Sequence, residues 1–386
     1  MIVSHLNLTD FRNYSAVDVA MVPGANVFVG SNGQGKTNLV EALGYLSTLG
    51  SHRVSVDHAM IRQGQDSAIV RARLEHADRQ ILAEVQINRS GANRAQVNRS
   101  AIKTRELPRY FASVLFAPED LALVRGEPSG RRRFLDELLV QRSPRLSGVM
   151  TDYERVLKQR NTLLKSARSS GLRENGLSTL EIWDERLVAL GSEIIEARSQ
   201  LIAELLPEVS AAYSAIAGAE HDATLMTMLS VLAKGSDDEA DEAATRGGVI
   251  SAHDAAEYFR AALARLRRAE LDRGLTLAGP HRDDLVLTLN GLPARGYASH
   301  GESWSFALAL KLASAEVLRR ESPSGDPVLI LDDVFAELDQ SRRARLANAV
   351  GGFEQVLITA AVFDDVPDEL ASHVIRIRAG AVVDDE

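Results

Sequence analysis

The chain has 386 residues, a quarter of them charged, a net charge of −9 and no cysteine. That length allows two domains with cores of their own, and the missing cysteines exclude disulfides, cysteine-bound zinc and iron–sulfur clusters. No apolar run approaches a membrane span and no signal peptide is visible at the N-terminus, so a cytoplasmic protein without membrane contact is expected.

In chain order, residues 1–29 alternate as short strands and end in the apolar run Val27-Phe28-Val29. Gly30-Ser31-Asn32-Gly33-Gln34-Gly35-Lys36-Thr37 follows and fits G-x-x-x-x-G-K-[ST], the phosphate-binding P-loop. Asn38 to Leu49 reads as a helix with Leu39, Val40, Leu43, Leu46 and Leu49 on one face and Gly50 as its stop. The spacing has a chemical reason. Glycines let the backbone wrap a phosphate, and successive N–H groups plus a helix N-terminus offer positive partial charge. Lys36 is expected to reach the β- and γ-phosphates of ATP, and the Thr37 hydroxyl to hold Mg²⁺.

Residues 66–100 alternate again, with Ile69–Leu74 and Ile81–Ile87 as the clearest strands. Between Arg53 and Arg109 eleven Lys/Arg stand against six Asp/Glu, and Arg89, Arg94, Arg99, Lys103, Arg105 and Arg109 face only Glu106. This stretch is a candidate DNA contact and equally a solvated face. Arg131-Arg132-Arg133 reads as structural or as part of a dimer contact, because Phe134-Leu135 opens a packed helix. Residues 131–271 read as helical. Leu180, Trp183, Leu187, Leu190, Ile194, Ala197 and Leu201 step by three and four, and Leu146, Val149, Met150, Tyr153, Val156, Leu157, Leu163 and Leu164 make a matching stripe. A helical hairpin with its tip at Ser166–Gly176 is expected, followed by an acidic loop at Gly235–Gly248.

From Leu275 the chain returns to strand-like pattern. Ser299-His300-Gly301-Glu302, opening an apolar helix, matches the S-x-G-[EQ] signature of ABC-type ATPases. In that class the signature faces the γ-phosphate held by the other subunit, which puts Ser299 and Gly301 among the nucleotide contacts. Val328-Leu329-Ile330-Leu331-Asp332-Asp333 reads as a buried parallel strand ending where α/β sheets place ligands. Asp332 is the expected Walker B acid on Mg²⁺, and Asp333 the group that orients or deprotonates the attacking water. Glu337-Leu338-Asp339 is similar to the D-loop of the same class.

Several further strings resemble the bacterial RecF family of recombination and repair ATPases. They are Leu6-Asn7-Leu8-Thr9-Asp10-Phe11-Arg12-Asn13-Tyr14, Pro118-Glu119-Asp120-Leu121, Gly126 with Pro128 and Arg131–Asp136, and Gly279-Pro280-His281-Arg282-Asp283-Asp284-Leu285. The resemblance covers nearly the whole chain. It implies an α/β fold: a split P-loop ABC-type ATPase head with a strand-rich subdomain and an inserted helical lobe. The expected division is 1–125 and 275–386 for the head and 126–274 for the insertion. It also implies an ATP-driven homodimer with weak DNA-dependent ATPase activity. Such a dimer binds double-stranded DNA and single-strand gap junctions, works with recombination mediator proteins, and supports recombinase loading and the SOS response. Lys36, Asp333, Ser299 and Glu119 are its candidate catalytic residues. The chain departs from the family at Glu127, where a small residue is usual, and at Ser303-Trp304, where many members carry Gln-Arg. Thr359-Ala360 stands near the switch histidine of transport ATPases, which counts against a transporter. The alternative reading is a nucleotide-gated protein-interaction switch with only indirect DNA contact.

Overall fold

A computed structural model describes residues 1–170, 178–218, 221–233, 245–322 and 325–383. The expected tip at Ser166–Gly176 and the acidic loop at Gly235–Gly248 therefore lie partly outside the described residues. The chain forms two compact units. The first holds Met1–Leu121, Ala211–Glu220 and His300–Glu386; the second holds Ala122–Ser210 and His221–Ser299.

The first unit contains two six-stranded sheets. One is antiparallel, in the order β2 (Tyr14–Ala20), β1 (Ile2–Phe11), β4 (Ser67–His76), β5 (Arg79–Asn88), β6 (Arg94–Val97), β7 (Ser100–Ile102). Its strands alternate, as Ala68, Val70, Ala72 and Leu74 of β4 are buried while Arg71 and Arg73 point away. The other sheet runs β16 (Ala381–Val383), β15 (Val374–Arg378), β3 (Gly24–Val29), β14 (Gln355–Ala360), β13 (Val328–Asp332), β8 (Ser113–Phe116). All but β16 are parallel. Every residue of its central strands β13 and β14 is buried, and most are apolar, because both faces are covered. Helix α1 (Lys36–Thr48) shares one core with the inner faces of both sheets, so its Leu39, Val40, Ala42, Leu43, Tyr45 and Leu46 are all buried. Leu49, in the left-handed region, closes α1 by donating its N–H to Tyr45.

The short helix α2 (Leu121–Arg125) follows β8. The second unit then holds α3 (Pro128–Arg142), α4 (Arg145–Ser170), α5 (Ser178–Ala217) up to Ser210, α6 (Ala252–Arg273) and the single turn α7 (Ala294–Tyr297). The reading of residues 131–271 as helical, broken only by the hairpin tip and the acidic loop, missed a strand. Here β9 (Ala223–Met228) pairs with β10 (Thr245–Arg246) and with β11 (Asp284–Leu289), and β11 pairs with β12 (Leu292–Pro293). The pairing of β9 with β11 keeps residues 275–299 in the second unit, whereas the pattern alone placed the return to the head at Leu275. The apolar stripes do pack, with Leu146, Val149, Tyr153, Val156 and Leu164 on α4 and Leu187, Ile194 and Leu201 on α5 buried. A polar centre sits among them. Arg160 of α4, fully buried, donates to Asp184 of α5 at 2.7 Å, to Glu270 of α6 at 2.6 Å and to Thr276 at 2.8 Å.

The string Gly279–Leu285 is the hub of this unit. His281 meets the Tyr153 hydroxyl at 2.7 Å, and the Pro280 carbonyl accepts from Arg198 of α5. Asp283 accepts from the N–H and hydroxyl of Ser230, and its carbonyl from Arg132. Asp284 takes a bidentate pair from Arg131, both contacts at 2.7 Å. Burial holds His281 down to about 4 and pushes Asp283 up to about 6. Arg131 and Arg132 therefore serve the architecture, while Arg133 lies exposed beside Glu137.

After the hub, α8 (His300–Glu321) and α9 (Gln340–Val350) belong to the first unit, and so do the last turns of α5. There Tyr213 meets Phe306 edge-on, and Arg345 donates to the Ile216 and Ala217 carbonyls.

Candidate nucleotide-binding site

The site forms at the C-terminal ends of β3, β13 and β14, three neighbours in the parallel sheet. Residues 30–35 leave β3, turn, and start α1 at Lys36. Ser31, Asn32 and Gly33 are exposed at the crest. Gly35 has φ 118°, and a Cβ there would lie 2.6 Å from the Tyr14 hydroxyl, so no other residue fits. Two flanks clamp the loop. The Gln34 carbonyl accepts from Asn13 and from the Gly380 N–H, both at 3.1 Å, and the Gln34 side chain accepts from the Ala379 N–H. The Lys36 ammonium is folded onto the loop, 2.7 Å from the Gly30 carbonyl and 3.3 Å from that of Ser31. These contacts keep a buried cation satisfied and leave it free to exchange carbonyls for phosphate oxygens.

Opposite the loop, Thr37 donates to Oδ1 of Asp332 at 3.0 Å, and Thr359 donates to the same oxygen at 2.6 Å. Burial raises the Asp332 carboxyl to about 6, against the two hydroxyls that favour its charge. A buried carboxylate and a hydroxyl side by side suit a hard, oxygen-seeking dication. No cluster of three or more His, Asp or Glu able to hold a metal exists among the described residues. Mg²⁺ is such an ion in general: it takes one or two protein oxygens and completes its shell with water and phosphate.

Asp333 follows with φ 51°, a left-handed conformation that a residue with a side chain adopts at a cost. Its N–H donates to Thr359, and its Oδ1 is buried without a hydrogen-bond partner.

Three groups were missed by pattern reading. Thr359, noted only as the residue in place of a histidine, holds both acids. His52 places Nε2 3.8 Å from Oδ2 of Asp332, and burial lowers its basicity. Arg12 makes a bidentate pair with the buried Glu41 of α1, at 2.9 and 2.6 Å. The only signal for Arg12 was its place in the N-terminal string. Arg53 donates to Asn38 at 2.9 Å and lies 3.6 Å from Glu41, so it braces the first turns of α1.

Glu119 is exposed, and its charge acts on both His52 and Asp332. The structure thus brings it to the site's edge. Lys311 of α8 fixes this segment by pairing with the adjacent Asp120 at 3.0 Å.

Ser299 ends the second unit and His300 begins α8; both are exposed. A Cβ on Gly301 would lie 2.7 Å from the Arg342 guanidinium, which pairs with Asp339 at 2.9 Å. Asp339 caps α9 by accepting the Arg342 N–H. The signature glycine and the D-loop aspartate are thus linked through one arginine.

The model of the RecF/RecN/SMC N terminal domain matches residues 2–378. The DNA replication and repair protein RecF of Clavibacter sepedonicus is 68% identical, covering all of this chain and 95% of that protein. Its counterpart in Leifsonia xyli subsp. xyli is 66% identical over the whole of both chains. A solved structure of the recombination mediator protein RecF with ATP superposes with TM-score 0.87 at 29% identity, covering 100% and 97% of the two chains. An Smc head from Pyrococcus furiosus shares the fold alone, with TM-score 0.52 at 15% identity over 98% and 94%.

Proposed function

This chain belongs to the RecF family of DNA replication and repair proteins, with an ABC-type ATPase fold, and we propose that it is an ATP-gated DNA clamp of recombinational repair. The observation that carries the reading is the convergence of Lys36, Thr37 and Asp332 at one end of the sheet. In this reading the N–H groups of residues 30–37 and Lys36 bind the phosphates of ATP, and Thr37 and Asp332 hold Mg²⁺. The ion supplies charge neutralisation at the phosphate oxygens. Asp333 orients or deprotonates the attacking water, and Glu119 adds its charge at the edge of the site.

Ser299 and Gly301 act in trans on the nucleotide of a second copy, so ATP closes a homodimer and slow hydrolysis opens it. The solvent-facing position of Ser299 and His300 supports this. DNA, double-stranded or at gap junctions, meets the strand-rich lobe. Arg94 occupies an outward position of β6 between inward-facing residues, and Arg89 and Arg99 are exposed in the adjoining turns. Recombination mediator proteins are the expected partners of the clamped state, with recombinase loading and the SOS response downstream.

Light-scattering mass with and without ATP and gapped DNA tests the reading, on wild type and on Lys36→Ala. ATP should double the wild-type mass and leave the variant monomeric and unable to bind a fluorescent ATP analogue. Unchanged nucleotide affinity in the variant would refute the site. A salt titration separates direct DNA contact from the interaction-switch alternative. Neutralising Arg89, Arg94 and Arg99 should lower the slope of log K against log salt by roughly 2–3.

A further inference from the structure

The Walker-type acid has two oxygens in different circumstances. Oδ1 of Asp332 is saturated by the hydroxyls of Thr37 and Thr359. Oδ2 faces the His52 imidazole, whose Nε2 lies 3.8 Å away, beyond direct hydrogen-bond reach. That Nε2 is buried and has no hydrogen-bond partner. A buried polar nitrogen left unpaired in a folded protein calls for a missing partner, and a gap of this size between two polar atoms is one that a water fills. The turn that carries the imidazole is fixed. The Ser51 hydroxyl donates to Glu41 and accepts the N–H groups of Arg53, at 3.0 Å, and Val54, at 3.2 Å, so the turn carrying His52 is anchored to α1.

We propose that His52 is a positioning residue for magnesium, gripping together with Oδ2 of Asp332 one water of the hydrated ion. Mg²⁺ keeps several waters when it binds proteins, and each such water has two hydrogens to donate. One goes to Oδ2 and the other to the lone pair of Nε2, which satisfies the orphan nitrogen and fixes the carboxylate. His52 then acts through Asp332 and the ion's water, not on the phosphate. No proton is transferred and no bond is broken. The assignment rests on the reading of this site as an Mg²⁺-ATP site.

The test is a magnesium titration of fluorescent ATP-analogue binding, on wild type, His52→Ala and His52→Gln, with a parallel measurement in EDTA. His52→Ala should raise the half-saturating Mg²⁺ concentration about tenfold, the size expected when a residue supporting a metal ligand is removed. Its metal-free affinity should equal that of wild type, since Lys36 and the loop are untouched; this also shows that the variant is folded. His52→Gln, which keeps a polar group at similar reach, should recover most of the loss. An unchanged midpoint in His52→Ala overturns the proposal, and so does an equal loss with and without magnesium. If wild type itself shows no magnesium-dependent binding, the Mg²⁺-ATP reading of the site falls, and this assignment with it.

Discussion

Replacing Asp332 by Asn should stabilise the nucleotide-free protein while destroying its magnesium-dependent function. The carboxyl is 4% exposed, and its burial raises it from 3.8 to about 6. Because the folded value lies above the unfolded one, the folded chain retains a proton across that window when the unfolded chain has lost it. Stability therefore falls as pH rises from about 4 to about 6 and is flat above. Keeping this carboxylate charged at neutral pH costs roughly 3 kcal/mol. Asn retains an oxygen for the Thr37 and Thr359 hydroxyls and removes the charge. A gain of that size raises Tm by about 5–10 °C for a unit this large. Calorimetry in EDTA at pH 7.5 should show the rise, and the gain should shrink below pH 6 and vanish near pH 4. A gain that is absent at pH 7.5, or equal at both ends of the window, would refute the argument. Saturating Mg²⁺-ATP should reverse the order of the two proteins, because only wild type gains stability from the ion.

Asp333→Asn should bind the ATP analogue as wild type does and turn over at least 100-fold more slowly, since it loses the candidate base and keeps Asp332; single-turnover hydrolysis checks both. Gly301→Ala should fold normally, because the neighbouring Arg342 side chain is free to swing aside, yet lower ATP-driven dimerisation as its pairing with Asp339 is disturbed; light scattering at several concentrations reads this. Arg160→Met should destabilise the second unit by about 3–5 kcal/mol in urea unfolding, because Glu270 is fully buried and loses its countercharge.

Much of the candidate site was legible because the residues that meet there stand in contiguous strings. A phosphate loop needs its glycines and lysine at fixed spacing, and one acidic pair ends one apolar strand, so sequence adjacency carries the geometry. The fold was legible for a related reason: alternation marks half-buried strands such as β4, and an unbroken apolar run marks β13 up to its terminal Asp332. What stayed hidden depends on partners distant in sequence. Nothing in a stretch that reads as helix up to residue 271 reveals that Ala223–Met228 pairs with Asp284–Leu289. Periodicity likewise shows an apolar stripe on α4 without showing that Arg160 at its centre is matched by acids from two other helices.

The same limit explains Thr359 and His52. Each is a single polar residue whose role follows from strand order. Since β14 lies between β3 and β13, the last residues of these strands meet, and Thr359 becomes a bridge joining both acids of β13's end. The chain leaves β3 through the loop into α1 and folds back beyond its end along the helix, so that His52 faces the other oxygen of Asp332. Asp332 is thus approached from α1's first turn by Thr37 and from beyond its last turn by His52. A displacement of α1 would alter both contacts together. Arg12, paired with Glu41 midway along the same helix, restrains that movement. Arg12 then has a physical role in the fold: it holds in register the helix whose two ends bring Thr37 and His52 to Asp332.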